Sequence, residues 1–116
     1  MQSQNRHEES IAHFREAVRL RPDFAEAHYS LGVSLTALGR REEAVAEFKA
    51  AVRYKPGYAE AHDYLGAAFY AGGQFAEAVA EFTETVRLKP DLAGARDNLE
   101  LARRALGSAG QSKGAR

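Results

Sequence analysis

The chain lacks several features that would mark particular classes of protein. None of its 116 residues is a cysteine, which excludes disulfides, thiolate zinc sites and a cysteine nucleophile. Sixteen basic and sixteen acidic residues cancel, so the basic stripe that nucleic-acid binding requires is not expected. No apolar run approaches the roughly 18 residues of a membrane helix, and the polar opening MQSQNRHEES holds no signal-peptide core. We therefore expect no nucleic-acid or membrane partner and, by default, a cytoplasmic protein.

Proline is also scarce, and its three copies are evenly spaced. Pro22, Pro56 and Pro90 stand 34 residues apart, and 18 of the 34 positions are identical when residues 23–56 are aligned with 57–90. A fixed period of this length indicates a stack of like units, each too small to bury its apolar face alone.

Each repeat is predicted to form two helices. In the first, apolar residues recur at three- and four-residue spacing from Ala27 to Leu38, and Gly39 ends the pattern as a helix C-terminal glycine does. Proline closes the second helix because it disfavours helix at the residue before it. The other predicted helices are 41–54, 59–71 and 75–88.

The ends of the chain match halves of the repeat. Residues 5–21 match its second helix and residues 91–106 match its first helix. The prediction is an all-α domain over 5–106 with six antiparallel helices: a half repeat at 5–21, full repeats at 23–56 and 57–90, and a capping helix at 91–106. The Gly/Ser-rich tail, 107–116, is predicted to be disordered.

The two terminal helices differ in what they expose. The last helix carries Arg96, Glu100 and Arg103 where the internal repeats carry packing residues, as expected of a helix that ends a stack in water. The first helix carries an apolar face that is expected to lack a cover, namely Ile11, Phe14 and Val18. Either the chain is cut from a longer array, or another molecule covers this face, as in a homodimer or a longer stack of copies.

The repeat resembles the tetratricopeptide repeat, a 34-residue helix–turn–helix unit. Gly32 and Gly66 stand where the two helices of a unit must approach closely, while His28 and His62 replace a tryptophan that is frequent in that family. The matching positions are His28, Leu31, Gly32, Leu35, Ala44, Phe48, Ala51 and Pro56, then His62, Leu65, Gly66, Phe69, Ala78, Phe82, Thr85 and Pro90.

This resemblance implies a right-handed α-solenoid whose concave surface, lined by the first helix of each unit, binds peptides or partner proteins. Such proteins act as scaffolds and adaptors and are usually not catalysts. The groove residues expected from the register are Glu26, Tyr29, Ser30, Val33, Glu60, Asp63, Tyr64, Ala67, Tyr70, Asp97, Asn98, Leu101 and Arg104. Three tyrosines and four acids against one base favour a basic or mixed basic and apolar partner segment.

No arrangement of residues indicates catalysis, a cofactor or a metal. His28 and His62 are one repeat apart, roughly 9–20 Å by helix packing, too far to share one ion. Glu43 and Glu47 form an i,i+4 pair on a helical outer face beside basic residues, which is typical of a solvated surface. No nucleophile–base set or phosphate loop is present, so the chain is expected not to be an enzyme.

One specialised groove of this family clamps the C-terminal carboxylate of chaperone tails with lysine, arginine and asparagine. The corresponding positions here carry no lysine or arginine and only one amide: Tyr29, Val33, Tyr64, Gly94 and Asn98. We therefore expect that this chain is not a chaperone-tail adaptor of that type.

Overall fold

Six helices make up the computed structural model, which describes residues 2–114 and the side chains of residues 4–109. They are α1 (Gln2–Leu20), α2 (Ala25–Ala37), α3 (Arg41–Tyr54), α4 (Ala59–Ala71), α5 (Phe75–Leu88) and α6 (Ala95–Gly114). No strand occurs within residues 2–114. The predicted all-α class of helix–turn–helix repeats is confirmed, and the bounds of α3, α4 and α5 are those that the sequence predicts.

Glycine ends the first helix of each full repeat in the left-handed conformation. Gly39 has φ 76° and Gly73 has φ 77°. After α2, the Arg40 N–H donates to the Leu35 carbonyl at 2.9 Å and the Gly39 N–H donates to the Thr36 carbonyl at 3.0 Å. This pair of bonds is a Schellman motif, which satisfies the last carbonyls of the helix and reverses the chain. The same two bonds recur around Gly73 after α4.

The chain divides into two compact units, one ending at Ala61 and the other beginning at His62. In the first unit α2 packs on both α1 and α3, and in the second α5 packs on α6. The buried apolar residues of the first unit include Ile11, Leu31, Leu35 and Phe48, and those of the second include Leu65, Phe69, Phe82 and Leu99.

A glycine beneath a phenylalanine ring joins the two helices of each full repeat. An added Cβ on Gly32 would lie 2.6 Å from Phe48 Cε1, and one on Gly66 would lie 2.8 Å from Phe82 Cδ1. Phe48 is fully buried and Phe82 is 2% exposed, so both rings belong to the core of their repeats. Each repeat therefore requires glycine at this position for its helices to pack.

His28 and His62 each hydrogen-bond the second helix of their own repeat. The Nδ1 atom lies 2.8 Å from a glutamate Oε1 in both cases, Glu47 for His28 and Glu81 for His62. His28 Nε2 also lies 2.6 Å from the Pro22 carbonyl oxygen. Carboxylate and carbonyl oxygens only accept hydrogen bonds, so both contacts of His28 are hydrogen bonds when both ring nitrogens carry hydrogen. These histidines are polar packing residues.

The apolar face predicted on α1 is only partly uncovered. Ile11 is 2% exposed, so its assignment to an uncovered surface is wrong; α1 packs on α2, and this contact covers Ile11. Phe14 and Val18 are half-buried. Phe14 lies in a shallow hollow of about 430 Å³ with Arg6, Glu9, Ser10 and His13.

The last helix differs from its predicted limits at both ends. It begins at Ala95, after a turn that contains Gly94 with φ 80°, and it continues to Gly114. Residues 107–114 are therefore helical where disorder is predicted, and residues 115–116 of that tail lie outside the described residues. The expectation of disorder rested on the Gly/Ser-rich composition of this terminal segment, but glycine costs only about 1 kcal/mol at each position in a helix interior. The remaining residues of the segment include alanine, glutamine and lysine, which favour helix.

Gly32→Ala is expected to destabilise the chain by about 1–3 kcal/mol, because the new methyl group would overlap the buried Phe48 ring. Chemical denaturation monitored by circular dichroism measures the change. Gly57→Ala is the matched control, since nothing lies within 4 Å of its added Cβ and its φ is not positive. An equal loss of stability in the two variants would contradict the packing role of Gly32.

Candidate interaction surface

In the first unit, two of the predicted groove residues join a cluster of rings and charges. The Tyr29 ring centroid lies 6.0 Å from that of Phe48 and 4.9 Å from that of Tyr58. Lys55 Nζ lies 4.4 Å from the Tyr58 ring centroid and donates to Glu26 Oε2 at 3.2 Å. The carboxylate of Glu26 is therefore neutralised by a neighbouring lysine, so its charge contributes less to an acidic surface than its residue type suggests.

The pKa values of two groups reflect this cluster. A hydrogen bond from its own backbone N–H lowers the pKa of Glu26 below its ordinary value, and the hydrogen bond from Lys55 lowers it further. Burial raises the pKa of the Tyr58 hydroxyl, and the charges of Glu26 and Glu60 raise it further. Both shifts keep Glu26 charged and Tyr58 neutral near pH 7.

The remaining predicted groove residues of this unit, Ser30, Val33 and Glu60, are half-buried. They offer little open surface, and the exposed part of this face is formed chiefly by Glu26 and its lysine partner.

In the second unit, four of the predicted groove residues surround one small pocket. Its volume is about 140 Å³, and its lining residues are Ala67, Tyr70, Phe82, Asn98 and Leu101. Leu101 is 51% exposed and Tyr70 is 37% exposed. The pocket is mostly apolar, is open to solvent and has a single amide among its lining residues, which suits it to an apolar side chain attached to a polar chain.

The amide of Asn98 is oriented by a carboxylate. Its Nδ2 donates to Asp63 Oδ1 at 3.4 Å. A carboxylate can only accept hydrogen bonds, so the amide nitrogen must face Asp63 and the Asn98 Oδ1 atom remains as an acceptor. The site can therefore accept a hydrogen bond from an N–H donor that approaches with an apolar side chain.

The other predicted groove residues of this unit lie outside the pocket. Tyr64 is 37% exposed. Asp97 lines a separate hollow of about 390 Å³ at the start of α6, together with Asp91 and Arg96. Arg104 Nε donates to Glu100 Oε2 at 3.3 Å, so the one base predicted for the groove is paired within its own helix.

Four contributors to these surfaces were not among the predicted groove residues. Lys55 and Tyr58 belong to the turn between α3 and α4, while Phe48 and Phe82 lie on second helices and were named only as positions that match the repeat. The first helix of each repeat supplied the whole predicted set, so residues from connecting turns and from the second helix were missed. The aromatic residue at the second position of each full repeat, Phe24 and then Tyr58, is the signal that could have found the turn.

Neither a metal centre nor a membrane span is found among the described residues. No group of three or more histidine or acidic side chains in that part of the chain could hold a metal ion. None of the described helices combines the length and hydrophobicity needed to cross a bilayer.

Solved structures with the same fold include a peptide-bound TPR domain and two structures of MamA. The first TPR of Spaghetti (RPAP3), bound to an HSP90 peptide SRMEEVD, is 21% identical with a TM-score of 0.84, over 90% of this chain and 82% of that one. Two crystal structures of MamA are 26% and 25% identical, with TM-scores of 0.79 and 0.82, over 84% and 87% of this chain. The chain spans 57% and 55% of those MamA chains.

No curated protein matches the chain. Two family models do match it. One is described as TPR repeat and covers residues 3–39. The other is described as tetratricopeptide repeat and covers residues 29–93, more than half of the chain. The chain therefore belongs to the tetratricopeptide repeat family.

Proposed function

We propose that this chain is a non-catalytic protein-interaction module, and that the face formed by α4 and α6 binds an extended partner segment with an aliphatic residue next to a basic one. The family to which it belongs consists of such interaction modules, and RPAP3 is a member that binds a peptide. The observation that carries the finer proposal is the apolar pocket in the second unit.

The pocket supplies the affinity for the aliphatic side chain. Phe82 forms an apolar wall that is itself almost fully buried, while Tyr70 and Leu101 are exposed at the rim. A leucine or methionine side chain that leaves water for such a site gains about 1.5–3 kcal/mol. The aromatic ring of Tyr70 adds contact area at a small entropic cost, as aromatic residues do at interfaces.

Asn98 supplies the contact to the ligand backbone. Because one hydrogen of its amide nitrogen is donated to Asp63, the Asn98 side chain is oriented with its carbonyl oxygen as an acceptor, which an N–H of an extended peptide can satisfy. A ligand carboxylate has no hydrogen to donate and would also approach Asp63. This chemistry favours the middle of a peptide over a C-terminal carboxylate.

The local charge favours a basic residue in the ligand. Asp63 accepts a hydrogen bond from Asn98, and Asp97, the residue before Asn98 in the chain, adds a negative charge in the neighbouring hollow at the start of α6. The base predicted for this face, Arg104, is engaged by Glu100. A lysine or arginine beside the aliphatic anchor would therefore meet acidic neighbours, which improves selectivity more than affinity.

Ala67→Leu is expected to weaken binding of such a ligand about tenfold to a hundredfold, because the larger side chain fills the pocket. The ligands are selected from a phage-displayed library of random peptides on the wild-type protein and measured by fluorescence anisotropy. Ala80→Leu, on an exposed position of α5 outside the pocket, is the matched control. Selected peptides that lack an aliphatic–basic pair, or that bind Ala67→Leu as tightly as wild type, would contradict the site.

The peptide SRMEEVD is expected to bind this site more weakly than SRMKKVK, in which lysine replaces its three acidic residues. The reason is that the acidic residues around Asn98 repel the carboxylates of SRMEEVD. The measurement is a competition in which each unlabelled peptide displaces a labelled SRMKKVK probe. Displacement by SRMEEVD at equal or lower concentration would overturn the preference for basic ligands.

A second candidate function is self-association through α1. The hollow beside Phe14 favours it, since part of an aromatic side chain remains open to solvent there. The contact would pair α1 of one copy with α1 of another, and the site that it needs is Phe14 with Val18, without the buried Ile11.

If α1 pairs with α1, the wild-type protein is a dimer, and Phe14→Glu is expected to make it monomeric because the substitution places a charge at the contact. The helix content is expected to change little. Ile11→Glu is expected instead to unfold the first unit. Sedimentation velocity over a range of concentrations and circular dichroism separate the two effects, with Ala12→Glu on an exposed position of α1 as control. A wild-type protein that stays monomeric at the highest concentration would exclude this function.

A further inference from the structure

Helices α1, α3 and α5 all carry an arginine as their next-to-last residue, but only two of these arginines have an acidic partner one turn earlier. The equivalent positions are Arg19 in α1, Arg53 in α3 and Arg87 in α5, each 34 residues from the next. Arg19 forms a two-pronged hydrogen bond with Glu16, at 3.0 and 2.6 Å, and Arg87 bonds Glu84 in the same way. In α3 this acidic position is occupied by Ala50.

A second position in the same turn departs from the pattern in the same helix. Leu20 in α1 and Leu88 in α5 correspond to Tyr54 in α3. Tyr54 is 44% exposed, so a large part of this residue is in contact with solvent. The two departures remove a negative charge and add an aromatic ring with a polar tip. Helices α1 and α5 form with glutamate and leucine at these two positions, so packing requires neither change.

Both departures border the same cavity. It has a volume of about 330 Å³, lies between the end of α1 and α3, and has no carboxylate among its eight lining residues: Val18, Pro22, His28, Ala46, Lys49, Ala50, Arg53 and Tyr54. The Tyr54 ring stacks on the His28 ring, with centroids 5.9 Å apart and planes inclined by 21°. The Arg53 guanidinium carbon lies 5.8 Å from the centroid of the Tyr54 ring. Glu47, a carboxylate close to this cluster, is engaged by His28.

The charges of Lys49 and Arg53 stand one helical turn apart along the cavity, with apolar surface from Val18 and Pro22 opposite them. At Arg53 alanine replaces the glutamate that binds the other two guanidinium groups, so a ligand carboxylate can take the place of that glutamate and form the paired hydrogen bonds seen at Arg19 and Arg87. The hydrogen bond with arginine lowers the pKa of both Glu16 and Glu84, which indicates how well this position in the helix suits a carboxylate.

We infer that this cavity is a second interaction site, which binds an acidic polypeptide segment by placing a glutamate or aspartate side chain on Arg53 and an adjacent apolar or aromatic side chain against Tyr54. The site shares no residue with the predicted groove set, and its preference for charge is the opposite of that proposed for the pocket of the second unit. Charge complementarity and the apolar lining together specify this occupant.

Ala50→Glu tests the site without removing any of its cations, because it restores the carboxylate that the other two helices carry. The probe is a fluorescein-labelled, C-terminally amidated peptide EEFEE. Its affinity is expected to fall at least about tenfold in Ala50→Glu, while helix content and unfolding midpoint stay unchanged. Tyr54→Leu, which restores the other shared residue, is expected to weaken binding by a smaller factor.

Three controls make the outcome decisive. Ala80→Glu adds the same charge on an exposed position of α5 and is expected to leave the affinity for EEFEE unchanged. Glu84→Ala removes the partner of Arg87, and a gain of binding there equal to the wild-type site would show that any uncompensated arginine suffices, which would overturn the inference. Ala67→Leu, which blocks the other proposed site, is expected to have no effect on EEFEE, so the two proposals fail or succeed separately.

Absence of EEFEE binding to the wild-type protein, or equal binding to Ala50→Glu, would overturn the inference. Complete displacement of the probe by inorganic phosphate or by a single-stranded oligonucleotide at the same concentration would also overturn it, because the site would then be a phosphate site.

Discussion

The contact between a glycine and a buried phenylalanine ring is the constraint on which each helical hairpin depends. The ring of Phe48 occupies the space that a side chain on Gly32 would need, and Phe82 does the same beside Gly66. The close approach that results buries the apolar faces of both helices, which is the main source of stability in so small a unit. Because this contact fixes the core with so few residues, the outward positions of the helices are free to vary between repeats.

The fold could be predicted almost completely from the sequence because single residues mark the ends of most helices. Gly39 and Gly73, which follow α2 and α4, adopt a backbone conformation that other residues avoid. Proline follows α3 and α5 and cannot continue a helix. The ends of these four helices could therefore be predicted from single residues. The burial of Ile11 could not be predicted in this way, since it depends on which side of α1 packs on α2. The limit of α6 was missed because glycine in its last turns opposes a helix only weakly and no proline follows.

The candidate surfaces were predicted in part, for a related reason. Repeat register placed Ala67, Tyr70, Asn98 and Leu101 on one face, and the structure brings them around one pocket. Register alone could not reveal that Lys55 from the turn neutralises Glu26, or that Asp63 orients the amide of Asn98. Those relations depend on side-chain conformations between elements. The differences between repeats were as informative as the identities, because Ala50 and Tyr54 replace the glutamate and leucine of the other two helices although packing requires neither change.

Glu100 on α6 limits how copies of this chain could assemble. It stands where the internal repeats carry Gly32 and Gly66, and a side chain at those glycines would approach a phenylalanine ring within 3 Å. A second copy that offered Phe14 of its α1 to this helix would meet that steric conflict together with a desolvated charge. Stacking of α1 of one copy on α6 of another is therefore disfavoured, and the proposed association through α1 is expected to pair α1 with α1 instead.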